Sequence, residues 1–208
     1  MTRLEDEFIP VYDVSDGVAV VARAEPARAW EALLDVDLIE LGRRRPLVGM
    51  LGALRVLPEL VGHVLHGESP ERPPQKLTLR GMAELPMSGG GWVLLGERPP
   101  EQIALGLVGK FWRPVIEFAD VSSEGFRDFA EPGFAKTIYA LAVQPLDDGA
   151  GSLISAVMRT ATTDDHARRW FRRYWTFGVG AGAHLLATGL VEAARDEAEA
   201  SPVAAGFH

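Results

Sequence analysis

The sequence predicts an α+β fold in which an antiparallel sheet curves around a long C-terminal helix. Three observations predict it. Strand-like segments follow one another with only short turns between them, which leaves no room for the crossovers that parallel strands require. Two or three helical segments separate the first strand from the second. The last segment, from Asp164 or Asp165 to about Glu199, keeps helical periodicity along its length.

The composition is typical of a soluble globular protein. The chain has 208 residues, of which 47% are hydrophobic and 24% charged, enough to bury a substantial core. The net charge of −8 argues against a nucleic-acid partner, because phosphate binding needs unopposed Lys and Arg side chains. The absence of cysteine excludes disulfides, thiolate nucleophiles and Cys-ligated metals.

The sequence predicts neither a signal peptide nor a membrane span. Residues 1–10 contain three acidic side chains and lack the apolar stretch of a signal peptide. The nearly uncharged run at residues 176–191 is shorter than the ~20 residues that a membrane span needs. We therefore expect a cytoplasmic protein folded as a single domain over residues 1–208, with its core at about 11–199 and a frayed tail at 200–208.

The first elements are one strand and a group of helical segments. Residues 18–22 are mostly β-branched and predict a strand. Pro26 then suits the first turn of a helix that continues from Ala27 to about Val36. Helical periodicity resumes at residues 38–41 and 47–65.

Six more strands are predicted before the terminal helix. A glycine-rich turn at residues 87–91 and the turn Asp147-Asp148-Gly149 favour hairpins between neighbours. Residues 122–130 are predicted to form a turn or a short helix. Together with the first strand, these segments predict a seven-stranded sheet. The six ranges are residues 76–85, 92–97, 102–111, 114–119, 135–145 and 152–162.

The terminal helix is predicted to be amphipathic, with small residues in its middle. The glycines at residues 178–182 favour close packing and could also bend the helix. The four arginines on the other side are interpreted as a solvated face, with an anionic membrane or head group as the minority alternative. The apolar stripe comprises Ala167, Phe171, Tyr174, Gly178, Ala181, Leu185 and Gly189, and the opposite side Arg168, Arg169, Arg172 and Arg173.

Two predicted strands have one face of small residues. Such faces leave a volume that another element or a ligand must occupy. Close approach of the helix and a ligand cavity of a few hundred Å³ both remain open on this evidence. The small-faced positions are Ala104, Gly106 and Val108 in one strand and Ile138, Ala140 and Ala142 in the other.

Four segments carry a resemblance to a known superfamily. They are AEPARAWEAL from Ala24, GKFWRP from Gly109, FAEPGFAK from Phe129 and ARRWFRRYW from Ala167. Together they resemble the START-like, or Bet v 1-like, helix-grip superfamily, which includes SRPBCC and polyketide cyclase/dehydrase-like proteins. The resemblance spans roughly residues 18–199. It implies a helix-grip fold, and it favours a cavity between sheet and helix that holds a lipid-like or polyketide-like molecule.

Candidate site residues are the aromatic and charged side chains expected near that cavity. A charged side chain buried in or beside a strand needs a partner, and would mark the polar end of a site. No catalytic residue is assigned. The candidates for ligand binding are Trp112, Tyr139, Phe171, Tyr174 and Trp175, and the candidate polar groups are Arg113, Glu117 and Arg159.

Two other patterns in the sequence suggest functional sites, but the residues around them do not support either one. The glycines at 178–182 lie inside a helix without a βαβ unit, so they do not predict a dinucleotide site. His63 and His66 lack a third metal ligand. We expect no cofactor and no metal.

The leading hypothesis is a binding protein for a hydrophobic small molecule. The alternatives are a cyclase or aromatase acting on a polyketide-like substrate and a non-catalytic interaction domain, with a homodimer compatible with the sequence.

Overall fold

The computed structural model describes residues 2–44, 76–84, 91–147 and 151–200. Within them, five strands form one open antiparallel sheet, in the order β1-β5-β4-β3-β2. The central strand is therefore β4. The strands are β1 (Val14–Ala22), β2 (Val93–Arg98), β3 (Gln102–Gly109), β4 (Ala135–Pro145) and β5 (Ser152–Thr162).

Helices flank the sheet and end the chain. The predictions of a helix after Pro26, a short helix near residue 123 and a long terminal helix are confirmed. The predicted helix at residues 47–65, with His63 and His66, lies outside the described residues. The helices are α1 (Leu4–Phe8), α2 (Pro26–Asp35), α3 (Leu38–Arg44), α4 (Leu79–Glu84), α5 (Ser123–Phe126), α6 (Asp165–Tyr174) and α7 (Gly180–Glu199), with a π-helical turn (Trp175–Val179) between the last two.

The sheet has five strands in the described part of the chain, so the prediction of seven was wrong. Leu79, Met82 and Ala83 are three and four residues apart, and pack on the core as one face of a short helix rather than a strand. Residues 114–119 do not form a strand, because the chain turns back there and the backbone N–H of Lys110 donates to the carbonyl of Glu117. Within this range only Phe118 forms a β-bridge, to Gly109. The remaining five strands correspond to predicted ranges, and two of these, β4 and β5, match to the residue.

The two faces of the sheet are covered by different elements. One face, here called the helix face, packs Leu105, Leu141 and Ile154 against α2 and the second half of α7. Trp30 of α2 and Val191 of α7 belong to the same buried cluster. The opposite face packs against α1 and α5. The core thus has a layer on each side of the sheet.

The small residues of β3 and β4 lie on the opposite face, away from the terminal helix. A Cβ atom on Gly106 would lie 2.8 Å from both Phe126 and Leu95, so these side chains already fill the space that the glycine leaves. Leu4 and Ile9 of the N-terminal segment are buried in the same cluster. The small strand face therefore does not line a cavity beside the helix; it admits α1 and α5.

The terminal helix is bent where the glycines begin. The backbone at Phe177 is non-helical, and Gly178 has a φ of 103°, which disfavours residues with a side chain. No residue of the π-helical turn is buried, and the first buried residue of α7 is Ala187. The apolar stripe is therefore interrupted: Leu185, predicted to face the sheet, is 45% exposed.

The whole helical segment, residues 165–199, is long and apolar enough to cross a membrane by length and composition alone. Core helices of soluble proteins pass the same test, so this is weak evidence for a span. About a third of its most apolar stretch is buried (33%), which leaves most of that stretch accessible on the protein surface.

Candidate functional site

Four of the five aromatic candidates meet where α6 packs against the end of β3. The rings of Phe171 and Trp175 stack with centroids 6.0 Å apart, and Tyr174 lies 6.0 Å from Phe171. Trp112 packs on the same cluster, which also contains Phe111. The start of α6 is fixed by Asp164, whose Oδ1 accepts a 2.7 Å hydrogen bond from the backbone N–H of Ala167. The predicted cap thereby sets the angle at which these rings reach the sheet.

The fifth candidate, Tyr139, lies on the helix face in the middle of β4. It pairs across the sheet with Leu105 of β3 and Met158 of β5. Its ring meets that of Trp92 edge-on, with centroids 5.6 Å apart. Because Trp92 also packs on the cluster around Phe171, it connects Tyr139 to the other aromatic candidates.

Tyr139 is less buried than its position in the sheet leads us to expect. Leu141 and Val143, further along the same face of the central strand, are each 1% exposed. Tyr139 is only half-buried. The terminal helix lies mainly along β1 and β5 rather than over the central strand, and no residue of the π-helical turn is buried. We call the region bounded by Trp92, Tyr139, Tyr174 and Trp175 the aromatic recess.

The hydroxyl of Tyr139 stays neutral in this environment. Burial raises the pKa of the phenol above its ordinary value of 10.0, and the neighbouring Tyr174 and Asp16 raise it further. The neutral phenol can donate one hydrogen bond to a polar group of a ligand. The aromatic recess thus combines several apolar rings with one fixed polar group.

An acidic and an imidazole side chain meet on the same side of the sheet. The Nδ1 atom of His184 in α7 lies 3.1 Å from Oδ2 of Asp16 in β1. Asp16 pairs with Met158, which in turn pairs with Tyr139, so these three residues form one row across the sheet. Sequence reasoning missed Asp16. Its position, in alternation with inward-facing Val14 and Val18, is the signal that could have found it.

The candidate polar groups lie away from the aromatic recess. Glu117 is in the exposed turn after β3, where it accepts a 2.6 Å hydrogen bond from Lys110 Nζ and pairs with Arg113. The bond from Lys110, assisted by Arg113, lowers the pKa of Glu117. Arg159 is on the opposite face, where Nη1 donates to Asp6 at 2.7 Å. The pairs of Glu117 therefore hold the turn after β3, and the pair of Arg159 with Asp6 holds α1.

Arg159 also contributes to the packing of the N-terminal segment. Its guanidinium lies over the ring of Tyr12, 4.8 Å from the centroid. Its Nε atom is buried and has no hydrogen-bond partner among the described residues. In the same part of the chain, no group of three or more His, Asp or Glu side chains could hold a metal ion.

Two clefts lie beside α1, and neither is lined by the candidate ligand-binding residues. The larger, of about 490 Å³, is bordered by residues that include Arg3, Arg98 and Gln102. Gln102 is engaged in holding α1, since it accepts from the N–H of Leu4 at 3.0 Å and donates to Glu5 at 2.6 Å. The smaller, of about 370 Å³, lies between α1 and α5. The described geometry gives neither cleft a free, convergent set of polar groups.

Comparison with known proteins gives no family. No family model matches the chain, and no curated protein matches it. Among solved structures it is similar to a conserved protein from Geobacillus kaustophilus, with 12% identity, a TM-score of 0.39, and coverage of 89% of this chain and 95% of that one. A protein from Arthrobacter aurescens gives 11% identity, a TM-score of 0.37 and 94% coverage of both chains. A protein from Mycobacterium smegmatis gives 16% identity, a TM-score of 0.34 and 94% coverage of both chains. These likenesses are too distant to carry an argument, and the helix-grip superfamily stays a prediction from the sequence.

Proposed function

We propose that the protein binds a hydrophobic small molecule, lipid-like or polyketide-like, in the aromatic recess. The observation that carries the proposal is the half-buried Tyr139 in the middle of the central strand. A side chain at that position is normally covered by the helix that packs on the sheet. Here Tyr139 is only partly buried and lies among aromatic neighbours, which is the environment that small apolar ligands occupy in proteins.

The chemistry of the recess favours a flat apolar ligand with one polar group. Trp92, Tyr174 and Trp175 offer large rigid ring surfaces, and such surfaces lose little conformational entropy on binding. The neutral phenol of Tyr139 can donate a hydrogen bond to a carbonyl or hydroxyl oxygen. The resemblance to helix-grip proteins supports the same ligand class.

The experiment is a fluorescence titration with N-phenyl-1-naphthylamine, a neutral apolar probe. We expect saturable binding and a loss of affinity of about tenfold in Tyr139→Ala, since truncating the ring removes most of one wall. Tyr12→Ala is the matched control, because Tyr12 lies on the opposite face beside Arg159. Equal losses in both variants, or no saturable binding, would reject the recess as the site.

Catalysis of a cyclase or aromatase type is the second candidate, and the Asp16–His184 pair is the observation that favours it. Asp16 and Tyr139 lie two strands apart in one row, which corresponds to about 10 Å between their backbones. A bound polyketide could span both, with His184 moving a proton and Tyr139 holding a carbonyl oxygen. Turnover of a poly-β-ketone thioester that His184→Asn abolishes, with probe binding unchanged, would favour this candidate over simple binding.

A further inference from the structure

The exposed side of α6 and the bend after it carry arginine and aromatic side chains together. The guanidinium of Arg173 lies over the ring of Trp170, 5.4 Å from its centroid. Trp170 is 44% exposed, and Phe177, at the bend, is 87% exposed. Positions 170 and 173 have the three-residue spacing of one side of a helix, and Phe177 lies at the exposed bend that follows. We call Arg169, Trp170, Arg172, Arg173 and Phe177 the arginine–aromatic surface.

Three arginines of this surface carry charges that no carboxylate in the described ranges neutralises. Arg169, Arg172 and Arg173 are exposed and have no ion pair there. Arg168, in contrast, pairs with Asp13 and Asp165 at 2.7 Å each. The arginine–aromatic surface is therefore a local positive patch on a chain whose net charge is −8.

The bend presents a large apolar side chain to solvent. Phe177 has φ −77° and ψ 28°, outside the helical range, and Gly178 follows in a conformation with φ 103°. A Cβ atom on Gly178 would meet nothing within 4 Å, so the space around the bend is open. Leu185 and Leu186 of α7 are also exposed, at 45% and 40%. Large apolar side chains exposed to solvent near one another are typical of interaction sites.

The charge of the patch argues against two other occupants. A second copy of the chain related by a two-fold axis would bring the same arginines against one another, and like charges would repel. A polynucleotide offers phosphates for the arginines but no hydrocarbon, so it would leave the exposed Phe177 without an apolar partner. A bilayer surface offers phosphates and hydrocarbon side by side, which matches both the arginines and the exposed rings.

We propose that the arginine–aromatic surface docks the protein on anionic lipid bilayers. Arg169, Arg172 and Arg173 contact the head-group phosphates, Trp170 lies at the interface, and Phe177 enters the acyl boundary. The mode is peripheral and reversible, with α6 lying along the bilayer surface. This inference is independent of the proposed ligand site, because its residues face away from the aromatic recess.

The test is co-sedimentation of the full chain with vesicles made from equal parts phosphatidylglycerol and phosphatidylcholine, at low salt. We expect binding that weakens in about 0.5 M salt and is absent with phosphatidylcholine alone. Each arginine near an anionic surface contributes about fivefold in partition coefficient, so changing Arg169, Arg172 and Arg173 together to Gln should weaken binding about a hundredfold. Phe177→Ser should weaken it with every arginine in place.

The control removes the same formal charge elsewhere, by changing exposed Arg23, Arg43 and Arg44 to Gln; Arg43 and Arg44 both pair with Glu40. We expect it to bind nearly as well as the unmodified protein. Equal loss in the two triple variants, no binding to phosphatidylglycerol vesicles, or tighter binding to a single-stranded oligonucleotide than to the vesicles would overturn the proposal. Binding of N-phenyl-1-naphthylamine in solution should be unchanged in the arginine variants, which separates this proposal from that of the ligand site.

Discussion

The ring of Trp92 lies edge-on against that of Tyr139, with their centroids 5.6 Å apart and their planes at 68°. Trp92 precedes β2 at one edge of the sheet, whereas Tyr139 is in the middle of the central strand. The contact therefore extends the aromatic cluster of α6 across β3 to the centre of the helix face. A ligand entering beside this contact would meet both rings.

The first prediction concerns Tyr139 at alkaline pH. Burial raises the pKa of its phenol above 10.0, so above that pH the unfolded chain releases the proton more readily than the folded protein. The free energy of unfolding should therefore fall as the pH rises beyond about 10. Urea denaturation at several alkaline pH values measures the slope. Tyr139→Phe should reduce it, whereas Tyr12→Phe should leave it in place.

The second prediction tests how the small face of β3 is filled. Gly106→Ala should destabilise the protein by about 1–3 kcal/mol, because the new methyl group would overlap Phe126 and Leu95. Gly17→Ala in β1 is the matched control, since its nearest neighbours would lie at 3.6 Å. Chemical denaturation of both variants checks the difference. Equal stability of the two would show that the face under α5 has spare room.

The third prediction concerns Asp13, which joins β5 to the start of α6. Burial opposes its ionisation, but hydrogen bonds from Thr162 and the guanidinium of Arg168 outweigh burial and lower its pKa below 3.8. The stability that this carboxylate contributes is complete above the unfolded pKa and is lost as the pH falls through the folded pKa. Asp13→Asn should cost about 1 kcal/mol near neutral pH, and the difference should shrink below pH 3.8.

The matched control for Asp13 is Asp165→Asn. Asp165 also pairs with Arg168, but its side chain is 80% exposed. Exposed pairs contribute little, so this variant should keep nearly full stability across the same pH range. Thermal unfolding followed by circular dichroism measures both variants, and a larger loss in Asp165→Asn than in Asp13→Asn would contradict the assignment.

The fourth prediction separates two glycines at the bend. Gly178→Ala should lower stability by about 1 kcal/mol through backbone strain alone, because its φ is 103° and the surrounding space is open. Gly180→Ala would place a methyl group 2.7 Å from the ring of Trp175. It should therefore shift the tryptophan emission as well as the stability. The same emission shift in Gly178→Ala would mean that the strain at the bend reaches the aromatic recess.

The sequence was sufficient for elements whose signals are local. β4 and β5 flank the turn that begins at Asp147, and their alternation fixed both ranges. The segment from Leu79 was wrongly predicted, because over six residues the same apolar positions fit a strand and a short helix. The filling of the face at Gly106 depends on Phe126, which is close only in the folded protein.

The candidate site was predictable in its residue types and not in its boundaries. The pattern placed Phe171 and Tyr174 on the apolar stripe of the terminal helix, and the structure brings them together with Trp175. The helix bends at Gly178 beside them, and a positive φ is not visible in a residue name. Arg159 lies on the opposite face in alternation with Leu153 and Val157, and the register with β4 settles which face that is.

Energy transfer from tryptophan to bound N-phenyl-1-naphthylamine tests the central claim most directly. Trp175 borders the aromatic recess, whereas Trp170 lies on the other side of the same helix. If the probe occupies the recess, changing Trp92 and Trp175 together to Phe should remove much of the transferred emission, and Trp170→Phe should change it less at equal occupancy. An unchanged signal in the double variant, or a loss in Trp170→Phe as large as in the double variant, would contradict a ligand site between the sheet and the bent terminal helix.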